Sequence, residues 1–373
     1  MFRFLIALAL INCAQSLDWW QGGNFYQIYP RSYMDSNGDG VGDLQGIKSK
    51  IAYVKGLGMD GVWLSPIMKS PQADFGYDIS DYRDIHWEYG TLDDFQDLLD
   101  ECNRLDLKLI LDFVPNHTSD EHDWFKKSEN RVPGYENFYI WRDGKIDNHT
   151  NLLVPPNNWV SFFRYSAWRW SNIRKQFYLH QFHYKQPDLN YRDPNLVQEM
   201  KNVLTYWMEK GVAGFRIDII VCLFEKMNAD GSFPDEPVGN NDCGYDDHCS
   251  LDHIHTQDQE ETFEMAYQWR DLLDEFKSTH GSVTKFMMTE SYSEIAKQQR
   301  FYGDGTRNGS YVPFNFEMIK TMNQRSTAKQ YKAAVDGWLV PMPKDVEANW
   351  VVSWSHFEVH LTLLHLTFLV RKS

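Results

Sequence analysis

Gly214-Phe215-Arg216-Ile217-Asp218 places an arginine and an aspartate in an otherwise apolar run. Charged side chains in a buried strand are costly unless they are paired or put to use. Two other apolar runs end in the same way, as Leu111-Asp112-Phe113-Val114-Pro115-Asn116-His117 and as Met288-Thr289-Glu290. A structural ion pair such as Arg216 with Asp218 would account for one such strand but fits poorly when three successive strands end in carboxylates.

Together with these three, the strand-like runs number seven and cover residues 25–33, 61–67, 108–114, 213–220, 285–291, 311–316 and 349–352. Helix-period stretches lie between them. Thr91 is a cap, with Asp94 three residues on, and Phe95, Leu98, Cys102 and Leu105 mark the buried face that follows. A second helix runs from about Asn195, with Val197, Met200, Val203 and Trp207 inward, to Gly211, and a third covers residues 262–277. Strand–helix alternation with continuously apolar strands predicts a parallel sheet covered by helices. Seven strands with an eighth intended predict a TIM (β/α)8 barrel, whose active groups sit at the C-terminal strand ends. Residues 118–193, rich in Asn, Pro, Trp, Tyr and His, break the rhythm and read as a subdomain inserted after strand three.

The 373 residues carry a formal charge of −15, with 42% hydrophobic and 24% charged residues. This is globular composition, and its acidity disfavours nucleic acid and anionic membrane as partners while leaving a neutral substrate indifferent. Arg3, the apolar run over residues 4–11 and Ala14-Gln15-Ser16 read as a signal peptide over 1–16, far short of the ~20 residues of a membrane span. Secretion is expected, with the mature chain starting at Leu17. The cysteines left are Cys102, Cys222, Cys243 and Cys249, which allow three pairings. Cys243 and Cys249 flank a short polar loop and are the expected disulfide. Sequons occur at Asn116, Asn148 and Asn308; the last two lie in polar stretches and are the glycan candidates.

Side chains alternate along a strand, so Arg216 and Asp218 point the same way. A neighbouring guanidinium favours ionised Asp218, which suits a nucleophile. Adjacent strands lie about 4.8 Å apart. Asp218 and Glu290 can therefore reach the ~5–5.5 Å separation of a retaining glycosidase, with Asp218 attacking the anomeric carbon and Glu290 protonating the leaving oxygen and then activating water. Asp35-Ser36-Asn37-Gly38-Asp39-Gly40-Val41-Gly42-Asp43 sets oxygen ligands on alternate residues, a pattern for a hard cation, although on this short run alone a polar turn has the edge. His248, His253 and His255 read as a surface loop. His180 and His183 fall near Phe182 in the insert, close to a sugar pocket.

The segments Asp112–His117, Gly214–Asp218 and Thr289-Glu290 resemble the first three signature regions of the α-amylase superfamily, glycoside hydrolase family 13. Gln186-Pro187-Asp188-Leu189-Asn190 and the opening Tyr26–Tyr33 are similar to the oligo-1,6-glucosidase and α-glucosidase branch, and the overall style resembles insect maltases. The resemblance implies Asp218 as nucleophile, Glu290 as acid/base and Arg216 as support for the nucleophile. It implies Asp112 and His117 at the glucose subsite, Asp74 binding the non-reducing glucose and Tyr77 stacking beneath it. It also implies structural Ca2+ held by Asp35, Asn37, Asp39, the Val41 carbonyl and Asp43. No organic cofactor is implied.

After Asn349-Trp350-Val351-Val352 the resemblance stops. The fourth signature region, the eighth strand and a C-terminal β-domain are expected to be missing, and residues 353–373 read as a non-family tail. The expected organisation is 1–16 signal peptide, 17–117 first barrel part, 118–193 subdomain, 194–352 second barrel part and 353–373 tail. The expected function is a retaining exo-acting α-glucosidase taking glucose from maltose, sucrose or short oligosaccharides, with the chain as written inactive and no membrane span. Alternatives are a non-catalytic family member, such as an accessory subunit or receptor ectodomain, and a sucrose or trehalose isomerase. Ile219, after the nucleophile, leans toward α-1,6 tolerance under the same resemblance.

Overall fold

The computed structural model describes residues 17–240 and 242–352, and the backbone of 366–371. Six strands pair in parallel in chain order: β1 (Asn24–Ile28), β2 (Gly61–Leu64), β3 (Lys108–Phe113), β4 (Gly214–Ile217), β5 (Phe286–Thr289) and β6 (Val312–Pro313). β7 (Glu347–Val351) is tied to Asn315, two residues past β6, by two hydrogen bonds. The Val351 N–H donates to the Asn315 carbonyl and the Asn315 N–H to Asn349 Oδ1, each at 3.2 Å. The sheet curls into a TIM-barrel-like ring.

The eighth place departs from expectation. β8 (Leu366–Arg371) fills it and runs antiparallel to both neighbours, with Phe368 opposite Asn24 of β1 and Trp350 of β7. The place between the first and seventh strands thus has no open edge. Unpaired rows of N–H and C=O groups on β1 and β7 are a ready template for any β-prone segment, and Leu366-Thr367-Phe368-Leu369-Val370 is one. Residues 1–16, the expected signal peptide, and residues 353–365 of the expected tail lie outside the described residues.

The main helices are α1 (Leu44–Gly56), α2 (Leu92–Arg104), α3 (Pro194–Lys210), α4 (Glu260–His280) and α5 (Ala328–Leu339). Thr91 and Asp94 form a full capping box, the Thr91 side chain taking the Asp94 N–H and Asp94 taking that of Thr91. α3 starts with Pro194 in its first turn and ends at Gly211, whose φ of +105° suits glycine. The strands are shorter than the apolar runs suggested. Residues 30–33 turn helical because Pro30 occupies a first helical position, and residues 220–222 form a 3₁₀ turn.

Phe25 and Phe286 stack across the ring at 5.2 Å, with Trp20 5.5 Å from Phe286. They plug the end opposite the site, and each buried ring stabilises by about 1.5–3 kcal/mol. Gly61 makes room for this plug: a Cβ there would lie 2.6 Å from the Phe25 ring.

Residues 118–193 leave the C-terminal end of β3, as the break in rhythm implied. They hold a three-stranded antiparallel sheet of Trp141–Arg142, Phe177–Leu179 and Trp168–Trp170. Its core packs Ile140, Trp159, Ala167, Trp168, Phe177 and Leu179 against Phe233. The loop between β4 and α4 leans on it through Arg164, paired with Asp246 at 3.0 Å and Asp247 at 2.9 Å.

Candidate active site

β3, β4 and β5 end at one level, because Arg216 lies opposite Asp112 on one side and Met288 on the other. Their carboxylates converge on the fully buried Arg216. Its Nη1 binds Asp112 Oδ1 at 2.9 Å and Oδ2 at 3.1 Å, and also binds Asp218 Oδ1. Its Nη2 lies 2.7 Å from Glu290 Oε2. Asp218 and Glu290 are thus held by the two terminal nitrogens of one guanidinium, from adjacent strands.

Three carboxylates on one cation cannot all ionise without cost. Burial pushes Asp218 well above the usual carboxylate range; Glu290 and Asp112 add to this, and Arg216 pulls the other way. Arg216 favours ionised Asp218, the direction expected from their shared strand face, and works against the burial. Burial likewise raises Asp112 to about 6, against the pull of Arg216. Asp112 is spent on Arg216, the Trp63 indole N–H at 3.2 Å and the Tyr77 hydroxyl at 3.4 Å.

Glu290 has two further partners that the sequence did not show. The Tyr292 hydroxyl donates to Oε1 at 3.1 Å, and the Ile219 backbone N–H donates to Oε2 at 3.0 Å. Ile219 reaches this geometry at φ +33° and ψ +49°, a costly left-handed conformation for a β-branched residue. Such strain is characteristic of functional sites. A β-branched residue gives no local warning of this conformation.

A second cluster sits beside the first. The Gln186 carboxamide donates to Asp74 Oδ2 at 2.8 Å and lies 3.0 Å from His117 Nε2. Gln186 Oε1 takes the His183 N–H at 2.9 Å. His117 Nδ1 then donates to Asn116 Oδ1 at 2.9 Å, while Asn116 Nδ2 donates to the Cys222 carbonyl at 2.7 Å. This network assigns the His117 tautomer, and burial holds its pKa down at about 3, so it is neutral. Burial raises Asp74 to about 6 and Gln186 opposes this. Asp188 is buried and accepts from Gln181, with burial pushing it up to about 7.

Stacked rings run outward from this cluster. Phe182 lies 5.1 Å from His117 and parallel to Phe162 at 4.7 Å. His248 stacks on Phe162 at 4.0 Å and on His253 at 3.5 Å. The histidine loop, read from the sequence as surface, is thus packed against the site. Cys243 and Cys249 are disulfide-bonded beside His248, with Cα atoms 6.0 Å apart, and Cys102 and Cys222 are buried thiols.

In the loop before α1, Asp35 accepts N–H bonds from Asn37, Gly38 and Gly40, and Asp39 accepts from Val41. Asp43 caps α1 by accepting from Gly46 at 2.6 Å. The donors are hard oxygens, as a calcium site requires. In this geometry they serve the loop's own amides, and among the described residues no three His, Cys, Asp or Glu side chains are grouped to hold a metal. Asn148 and Asn308 are exposed, whereas Asn116 is buried in the His117 network and closed to a glycan. Among the described residues no helix is long and apolar enough to cross a membrane.

A family model described as "Alpha amylase, catalytic domain" matches residues 27–357. The chain is 50% identical over 351 residues to Maltase A1 of Drosophila melanogaster, covering 93% of this chain and 61% of that protein. It is 51% identical over 352 residues to the salivary alpha-glucosidase of Aedes aegypti, covering 94% and 60%. Among solved structures, an alpha-glucosyl transfer enzyme, XgtA, superposes with a TM-score of 0.80 at 35% identity, covering 91% of this chain and 61% of that one. The chain therefore spans about three fifths of the length of these relatives.

Proposed function

Because the chain belongs to the α-amylase family, glycoside hydrolase family 13, we propose that it carries the catalytic carboxylates of a retaining, exo-acting α-glucosidase of the maltase type. The observation that carries this reading is the shared guanidinium: Asp218 and Glu290 approach from adjacent strands and are bound by Arg216. Two carboxyls bound to one guanidinium support the short separation that retaining enzymes use.

In the proposed reaction the Asp218 carboxylate attacks the anomeric carbon as Glu290 gives its proton to the departing glycosidic oxygen. A glycosyl ester forms on Asp218 and the aglycone alcohol leaves. Glu290, now ionised, takes a proton from water, whose oxygen displaces Asp218 and returns the original anomeric configuration. Arg216 moderates the charge that passes between the two carboxyls. Neutral His117 and the Asp74 carboxylate, tied together by Gln186, hold the sugar hydroxyls, and Tyr77 forms the floor. Salivary alpha-glucosidase is the name of one relative; secretion, glycans at Asn148 and Asn308, and calcium at residues 35–43 belong to the same proposal.

Proton NMR of the first-formed glucose tests the assignment: the α anomer is expected, and the β anomer would overturn it. Product analysis on sucrose separates hydrolysis from isomerisation, since an isomerase would yield a second disaccharide in place of free glucose and fructose.

A further inference from the structure

The two oxygens of Glu290 have unlike surroundings. Oε2 takes the Ile219 N–H at 3.0 Å and lies 2.7 Å from Arg216 Nη2, so two positive groups crowd it. Neither a backbone amide nor a guanidinium gives up its proton near neutral pH. The proton that Glu290 carries as an acid therefore belongs on Oε1. Among the described residues Oε1 has one partner, the Tyr292 hydroxyl at 3.1 Å.

Tyr292 is held for this contact from three sides. Its ring stacks on buried Phe316 at 4.8 Å, with the planes 11° apart. The Lys320 amine, from the short helix Glu317–Thr321, sits 5.3 Å over the same ring and donates to the Tyr292 carbonyl at 3.4 Å. The next residue, Ser293, donates from its hydroxyl to Asp258 Oδ1 at 2.6 Å. Phe316 and Lys320 follow β6 and Asp258 precedes α4, so two neighbouring loops fix this hydroxyl at the end of β5. Burial, and then the Glu290 charge, keep the hydroxyl protonated well above its ordinary range, against the pull of Arg216. It therefore meets an ionised Glu290 as a donor.

We propose that Tyr292 is a positioning residue for the acid/base: its hydroxyl orients Oε1 and stabilises the carboxylate left once the proton has gone to the glycosidic oxygen. The inference rests on the glucosidase reading and deepens it. The proton passes from Oε1 to the departing oxygen as the glycosidic bond breaks, and the Tyr292 O–H then donates to the bared Oε1. When water attacks the glycosyl ester, its proton goes to Oε1 and the first state returns. A hydrogen bond to the ionised form favours that form, so Tyr292 makes Glu290 the stronger acid. The other groups facing Glu290 are Arg216 and Asp218 at the end of β4, Asp112 from β3 and Tyr77 from the loop after β2. Tyr292→Phe leaves all of them in place and removes one oxygen.

The test is a carbon-13 NMR titration of the full chain, with glutamate labelled at its side-chain carboxyl. The signal that disappears in Glu290→Gln belongs to Glu290. In Tyr292→Phe the midpoint of that signal should rise by about 1 pH unit, the loss of one charge-assisted hydrogen bond. Tyr292 is 43% exposed, and superimposable melting curves check that the variant is folded. An unmoved midpoint would overturn the proposal. A lower midpoint would also overturn it, since the hydroxyl would then be accepting from protonated Glu290. The titration needs no turnover, so either result leaves the glucosidase reading standing, and that reading falls separately if the first-formed glucose is the β anomer.

Discussion

Arg216→Met removes the cation from the centre of the site while keeping an unbranched side chain of similar reach. In the native chain the guanidinium is fully buried and touches Asp112 at 2.9 and 3.1 Å, Glu290 at 2.7 Å, and Asp218. Breaking a buried pair by removing one partner costs about 3–5 kcal/mol. Here three carboxylates lose the guanidinium they share, out of a domain stability of about 5–15 kcal/mol. The loss depends on pH in a definite direction. Asp112 already has a folded pKa raised from 3.8 to about 6, and burial raises Asp218 as well. A carboxyl with a raised folded value contributes its stability fully below the unfolded pKa and loses it as pH rises through the folded one. Without Arg216 these values rise again, so the variant holds at least one extra proton across the neutral range. Native Asp112 gives up its proton only above about pH 6, so one extra proton, worth about 1.4 kcal/mol per pH unit, counts from there up and amounts to ~2 kcal/mol by pH 7.5. Urea melts of both chains at the two pH values are the assay. The deficit of the variant should be large at pH 7.5 and shrink by that amount at pH 5. An equal deficit at both would refute the reasoning and make Arg216 a space-filler.

Three further outcomes follow from the same geometry, the kinetic ones read on an active form of the enzyme. With Asp74 titrating near 6, KM for an aryl α-glucoside should climb as pH falls below that value, and Asp74→Asn should flatten the profile at about 10-fold or higher KM; a parallel profile would remove Asp74 from substrate binding. Gln186→Leu strips the donor that holds Asp74 down, so the break in the KM profile should move to higher pH while kcat stays near its starting value; an unmoved break would show that the amide does not tune Asp74. Chelation of calcium should lower the melting temperature, since a cation at 100-fold its Kd contributes about 2.7 kcal/mol; superimposable melts with and without chelator would leave residues 35–43 as a polar turn.

Much of the barrel was legible in the chain because its signals are local. A parallel strand covered on both faces must be continuously apolar, so Asp112, Asp218 and Glu290 stood out at the ends of β3, β4 and β5. Caps obey equally local rules, which is why Thr91 and Gly211 marked the ends of α2 and α3. What the pattern did not carry was how residues far apart in the chain divide charge and hydrogen bonds. That Asp112 is consumed by Arg216, and that burial lifts Asp218 against that same guanidinium, follows from three strands meeting within one buried volume. Gln186 joins Asp74 to His117 across separations of 112 and 69 residues. The Ile219 N–H turns toward Glu290 only because the chain bends left-handed on leaving β4. The antiparallel β8 is settled by the open edges of β1 and β7. Periodicity reports which side of an element is buried; which partner waits there is a property of the assembled ring, where backbone and charge are satisfied together.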